Sequence, residues 1–175
     1  MGGACVVIRV KGGEPMDERR AEELVNNHAD TILRIGYTWL GDLDDAKDVC
    51  QEVLIRLLED GRSFPDCGQE RAWVVRVAIN VCKNWKKSAW FRRRAPLEEG
   101  LHLSVELPEP EEDSLLEEVN RLPAKYREVL YLRYYEEYQV AEIAALLGQS
   151  PALVSTHLAR AKAKLRRRLE GNCYG

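Results

Sequence analysis

The chain has 175 residues, enough for one large or two small domains, and its 45% apolar content is ordinary for a globular protein. No apolar run approaches the ~20 residues of a membrane span. Five scattered cysteines (Cys5, Cys50, Cys67, Cys82, Cys173) include no C-x-x-C pair and no histidine at zinc spacing, which argues against a disulfide framework or a metal site and for a reduced, cytoplasmic protein.

The formal net charge of −3 hides a segregation. Acids crowd Asp42 to Glu52 and Glu98 to Glu118; bases crowd Lys83 to Arg94 and Lys162 to Arg168. Separate surfaces for a basic and an acidic partner are expected. Residues 1–15, with two Gly-Gly pairs, read as a disordered tail, and Met16 is a candidate native start because organised pattern begins after it.

Asp17 to Leu40 reads as a long helix with Val25, Ala29, Ile32, Ile35 and Trp39 on one face. Gly41-Asp42 breaks it, and Asp42 or Asp44 caps a second helix that runs to about Asp60. Its inner face is Ala46, Val49, Cys50, Val53 and Leu57. Its outer face carries Asp42, Asp44, Asp45 and Asp48, then Gln51 and Glu52. Acids in a first turn suit the helix dipole, but four aspartates in seven residues exceed that need and suggest a docking surface. Ser63 to Gln69 is a loop. Glu70 to about Trp90 is a third helix, with Trp73, Val77, Val81 and Trp85 along one side and Trp73 expected in the core. The other side carries Arg71, Arg76, Asn80, Lys83, Asn84, Lys86 and Lys87, followed by Trp90-Phe91-Arg92-Arg93-Arg94. Rings interleaved with cations and amides suit single-stranded nucleic acid, the cations holding phosphates and the rings stacking on bases.

Residues 95–114 hold three prolines and seven acids with no Lys or Arg, a composition that cannot bury enough surface to order itself, so the domain boundary is placed there. Leu115 to Arg121 resumes a helix, and Pro123 opens another with Tyr126, Val129, Leu130 and Tyr134 facing inward. Tyr138 to Leu169 reads as a helix-turn-helix. Val140, Ile143, Ala144 and Leu147 form one apolar face, Gly148 ends that helix, and Ser150 caps the next with Pro151 at its first position. Val154, Leu158, Ala161 and Leu165 form the buried stripe of that helix. Ala152, Thr156, Ala159, Arg160 and Ala163 face outward, small enough to let a DNA groove approach.

Three stretches in this order resemble the extracytoplasmic-function group of bacterial sigma factors, which keep only regions two and four. Asp45 to Glu52 is similar to the family's acidic D-A-x-D-x-x-Q-E helix, and Ala72 to Asn80 to its W-L-x-x-I-A-x-N segment. Leu122 to Tyr134 with Ala141 to Ala144 and Val154 to Leu165 resembles region four. The resemblance implies an all-α fold of two small domains: residues 16–94 as region two, 95–114 as an acidic linker imitating RNA in polymerase channels, and 115–175 as region four. It also implies core RNA polymerase and promoter DNA as partners, contacts to the largest-subunit clamp helices and the flap, an anti-sigma factor, no cofactor, no bound metal and no catalysis. Asp45, Asp48, Gln51 and Glu52 would dock on the clamp. Arg56, Phe64, Arg76, Asn80, Lys83, Asn84 and Lys87 would hold the −10 element with one base flipped out. Ser150, Ser155, Thr156, His157, Arg160 and Lys164 would meet the −35 element, Arg160 reading bases and His157 and Lys164 lying near phosphates. Ser155 and His157 stand where relatives often carry basic residues, which leaves this face less basic. Two alternatives compete. A stand-alone helix-turn-helix regulator leaves the acidic helix unused. A magnesium nuclease built on Asp42, Asp44 and Asp48 lacks a base and a convergent geometry.

Overall fold

The computed structural model describes residues 18–60, 62–92 and 114–172, all helix and short connections. The expected tail and nearly all of the expected linker fall outside these residues. The chain divides into two units, Met1–Pro110 and Glu111–Gly175.

In the first unit, α1 (Glu18–Leu40) packs against both α2 (Leu43–Asp60) and α3 (Cys67–Arg92). The core is built from apolar stripes at helical spacing. Leu24, Ala29, Ile32, Leu33, Ile35 and Trp39 come from α1, and the five expected residues of α2 are joined by Leu54 and Leu58. Val74, Val75, Ala78, Ile79, Val81 and Cys82 come from α3. The α1–α2 crossing depends on a residue without a side chain, because a Cβ on Gly36 would lie 2.9 Å from the Ala46 Cα. Asp42 is the α2 cap, its Oδ1 accepting the Asp45 N–H at 2.9 Å. A polar cluster ties α1 to α3: the buried Glu70 carboxylate meets the buried His28 Nε2 at 2.7 Å and the partly exposed Arg20 Nη2 at 2.5 Å. Cys50 lies in this core with its Sγ directed at the Ala29 carbonyl, and burial pushes its thiol pKa up to about 12.

Three sequence expectations need correction here. Helix α3 begins at Cys67 rather than Glu70, because Asp66 caps it by accepting the Gln69 N–H at 2.8 Å. On α1, Val25 is half-buried and Leu24 takes the core position. Trp73 is half-buried too, at the edge of the core rather than within it.

The second unit comprises α4 (Ser114–Asn120), α5 (Ala124–Tyr134), α6 (Val140–Leu147) and α7 (Pro151–Asn172). Its core joins Val119, Leu122, Tyr126, Val129, Tyr131, Leu132, Ile143, Val154, Leu158 and Ala161. Tyr134, expected inside, is 53% exposed, and Tyr131 is fully buried instead. The Tyr131 hydroxyl donates to Glu136 Oε1 at 3.0 Å, which lets a phenol lie in the core without an orphaned proton. Gln139 and Glu142 form a capping box on α6. Gly148 closes α6 at φ 68°, where a glycine carries no Cβ penalty. Ser150 Oγ then accepts the Leu153 N–H at 3.3 Å to start α7. At its far end α7 is tied to α4: Arg168 Nε donates to Glu118 Oε2 at 2.8 Å, and Arg121 grips the other oxygen.

Candidate nucleic-acid and partner interfaces

The first unit presents two polar faces of different sign. On α2, Asp42, Asp44, Asp45 and Asp48 are exposed along the helix start. Asp45 and Asp48 stand one turn apart, and Gln51 and Glu52 continue the stripe half-buried. Glu52 is committed within the unit. One of its oxygens accepts Arg56 Nη2 at 2.6 Å and the other accepts the Trp85 indole N–H at 2.8 Å.

The second face surrounds the α2–α3 connection. Phe64 tilts against Trp73 with ring centroids 5.7 Å apart, and the Arg62 guanidinium lies 5.6 Å from the Trp73 ring. These residues, with Ser63, Pro65, Gln69, Ala72 and Arg76, line an open depression of about 380 Å³. Arg56 lines an adjoining depression that shares Trp73, with Glu59, Asp60 and Val77. From the depression, Arg76, Asn80, Asn84 and Lys87 follow one another by four, four and three residues along α3. All four are exposed, and Lys83 is half-buried beside them. Of the expected residues, Phe64 and Arg76 line the hollow, Asn80, Asn84 and Lys87 with Lys83 alongside continue from Arg76 along α3, and Arg56 stands apart in the adjoining depression. That arrangement can receive an unstacked base and hold the adjoining backbone. Sequence reasoning missed Arg62 and Gln69. Arg62 stands two residues before Phe64, and a cation so close to an aromatic loop is a usable signal.

In the second unit, Ser155, Thr156, Ala159, Arg160, Ala163 and Lys164 are exposed on one side of α7, opposite its buried stripe. Thr156 Oγ1 donates back to the Ala152 carbonyl at 2.9 Å, so toward a ligand it offers an acceptor. His157 differs from its neighbours. It is half-buried, edge-on to Tyr126 at 5.8 Å. Burial, helped by Lys125 and Arg160, holds its pKa below the ordinary imidazole value of 6.5. A neutral imidazole near a phosphate would be a hydrogen-bonding group, not a counter-charge. The nearby cations are Lys125 and Lys164, whose ammonium groups lie 5.2 Å and 5.9 Å from the Tyr126 ring. Lys125 was absent from the sequence-based set because it sits on a different helix.

The basic run that ends α7 is divided between roles. Arg168 pairs with Glu118, and Lys162 lies 5.3 Å from the Tyr134 ring. Lys162 and Arg166 border an apolar groove of about 450 Å³, whose floor and walls are Leu115, Val119, Leu130, Tyr134, Leu165 and Leu169. Among the described residues no cluster of His, Cys, Asp or Glu converges as a metal site would, and no helix is long and apolar enough to cross a membrane.

Comparison with known proteins matches both halves. The family described as Sigma-70 region 2 matches residues 24–92, and that described as Sigma-70, region 4 matches residues 112–165. The chain is 26% identical to the ECF RNA polymerase sigma factor SigW of Bacillus subtilis, over 92% of this chain and 95% of that one. It is 33% identical to the RNA polymerase sigma-E factor of Streptomyces antibioticus, over 85% of this chain and 84% of that one. Its fold resembles the solved sigma factor RpoE in complex with the anti-sigma factor NepR from Bartonella quintana. The TM-score there is 0.60 at 15% identity, covering 87% of this chain and 98% of that one.

Proposed function

The chain belongs to the extracytoplasmic-function group of RNA polymerase sigma factors, and from that premise we propose how its two units divide the work of starting transcription. Residues 16–94 act as region two. Asp45, Asp48 and Gln51 dock on the clamp helices of the polymerase largest subunit. Phe64, Trp73 and Arg62 receive a base flipped from the non-template strand of the −10 element, and Asn80, at the exposed end of the Arg76 turn, reads its edge. Arg76, Lys83, Asn84 and Lys87 hold the strand that follows. Unstacking a base costs a few kcal/mol, and a hollow already lined with rings offsets that cost by stacking.

Residues 115–175 act as region four. The α6–turn–α7 pair is a helix-turn-helix whose second helix enters the major groove at the −35 element. Arg160 is the base reader, Ser155 and Thr156 add short polar contacts, and Lys164 with Lys125 approaches the phosphates. Ser150 and His157 border this face. The apolar groove between α4, α5 and α7 suits the polymerase flap, since a helix of a partner can lay an apolar face into it. Residues 95–114 connect the units as an acidic strap. The protein has no catalysis of its own, and an anti-sigma factor holds it inactive until a signal arrives. A stand-alone regulator is not favoured, because it would leave the whole first unit without a role.

What supports this reading most is the contiguity of the Phe64–Trp73 hollow with the stripe from Arg76 to Lys87. Transcription with core polymerase on a cognate promoter tests it. Asn80→Ala is expected to lower transcription while core binding persists, whereas Asp48→Arg is expected to weaken core binding itself. An Asn80→Ala protein that transcribes at the unmutated rate would remove the hollow from the mechanism.

A further inference from the structure

The sequence groups Glu52 with the aspartates of α2 as a polymerase contact, but its two carboxylate oxygens are engaged elsewhere. Glu52 stands one turn beyond Asp48, where α2 passes α3. Its side chain is only 36% exposed. One oxygen receives Arg56 Nη2 at 2.6 Å, and the other receives the indole N–H of Trp85, thirty-three residues away on α3, at 2.8 Å. Arg56 in turn borders Trp73 and Val77, and Trp73 is the ring that Phe64 and Arg62 pack against. A single carboxylate thus links Arg56, which lies against Trp73, to Trp85 on α3, the helix that also carries the stripe from Arg76.

We propose that Glu52 is a positioning residue of the strand-binding face: it holds Arg56 beside the Phe64–Trp73 hollow and fixes the Trp85 indole on α3. The inference rests on the reading of that face as the −10 site and reassigns one member of the docking helix. The geometry favours it on two grounds. An Arg held by an i, i+4 carboxylate loses less freedom when it meets a phosphate, so the bound arrangement is prepared in advance. An indole N–H bonded to a fixed acceptor has its ring plane set. A contact to polymerase through Glu52 would have to compete with both bonds.

The test uses the full chain with core polymerase, a fluorescent single-stranded −10 oligonucleotide and four variants: Glu52→Ala, Glu52→Gln, Trp85→Phe and the Glu52→Ala/Trp85→Phe pair. Asp48→Arg and Asn80→Ala serve as references. Core affinity is read by titration, and strand capture is read on polymerase complexes already formed. Glu52→Ala is expected to leave core affinity within about twofold and to lower strand capture about fivefold, the size of one lost hydrogen bond. Glu52→Gln still offers an oxygen to the indole and is expected to recover part of that loss. The paired variant is expected to lose less than the product of the two single losses, as groups in one network do. The proposal is overturned if Glu52→Ala weakens core binding as Asp48→Arg does while strand capture is unchanged, or if the paired losses simply multiply. If Asn80→Ala also leaves strand capture intact, the −10 reading itself has failed. If Asn80→Ala lowers capture and Glu52→Ala does not, only the positioning role has failed.

Discussion

Gly36→Ala is a sharp test of how the first unit is assembled, because two physical effects oppose each other there. Helix propensity favours alanine by about 1 kcal/mol inside a helix such as α1. The crossing disfavours it. The new Cβ would lie 2.9 Å from the Ala46 Cα, 3.0 Å from its Cβ and 3.2 Å from its carbonyl oxygen. The nearest atom is backbone, so no rotamer change relieves the contact and α2 must move as a body. Overpacking of a close-packed site costs about 1–3 kcal/mol, and a backbone-to-backbone clash belongs near the upper end. The net is a loss of about 2 kcal/mol, equivalent to a fall in Tm on the order of 10 °C for a unit of this size. All four tryptophans lie in the first unit, so intrinsic tryptophan fluorescence during urea unfolding of the full chain reads that unit alone. Ala46→Gly in the same chain is expected to restore little, since the Cα remains in place. A Gly36→Ala protein that is more stable by about 1 kcal/mol would show that propensity decides at this site and that the crossing is not tightly constrained.

The second unit yields three further outcomes. Arg160→Ala is expected to cost about 1–3 kcal/mol on the preferred upstream sequence and to relax preference there, as measured by competition between duplexes; equal losses on every sequence would make Arg160 a phosphate contact. Binding of duplex DNA is expected to change little between pH 7 and pH 8, because His157 is already neutral above its lowered pKa; a steep fall in affinity over that interval would show an imidazolium at work. The hydrogen bond from Arg168, with Arg121 adding its charge, holds the Glu118 carboxyl below its ordinary 4.5. Its stabilising contribution is therefore complete above that value and lost as pH falls through the lower folded value. Glu118→Gln is expected to loosen α7 at neutral pH and to flatten that acid dependence, as read by amide exchange along the helix. In the first unit, Cys67 is expected to react with a thiol reagent at pH 8 while Cys50, its thiol raised to about 12 and buried, reacts only on unfolding. Peptide mapping of the labelled cysteines separates the two.

Periodicity identified most of what folds this chain. The inner face of α2 and, apart from Leu165, which is half-buried, the buried stripe of α7 were legible because an apolar residue every three or four positions admits one rotation of the helix. The turn at Gly148 and the start at Ser150-Pro151 were legible because their chemistry is local. The errors fall where local pattern is ambiguous or the cause is distant. Tyr131 and Tyr134 are chemically equivalent candidates for the inner face of α5, and the choice between them depends on Glu136 lying within reach of one hydroxyl. Cys67-Gly68 reads as loop until Asp66 is seen to cap the helix across them. Trp73 looks like core by composition, yet its position at the end of the stripe leaves one face to Phe64 and Arg62. The stripe Arg76–Asn80–Asn84–Lys87 was visible because it is a property of one helix. The bond from Trp85 to Glu52 was not, because it spans thirty-three residues and two helices.

The two long working helices share a physical logic. Each carries its polar residues opposite a buried stripe: Val74, Ala78 and Cys82 on α3, and Val154, Leu158 and Ala161 on α7. An α-helix turns 100° per residue, so slipping either stripe by one position would swing the polar face a quarter-turn and more away from the ligand proposed for it. The core that stabilises each unit therefore also fixes the aim of the two proposed readers, Asn80 and Arg160. The tolerance is set by packing: a close-packed interior has few alternative arrangements. A core substitution that merely loosens α3 or α7 should then erode recognition before it unfolds the unit, because a rotation too small to expose the stripe already carries an exposed amide or guanidinium out of hydrogen-bond reach.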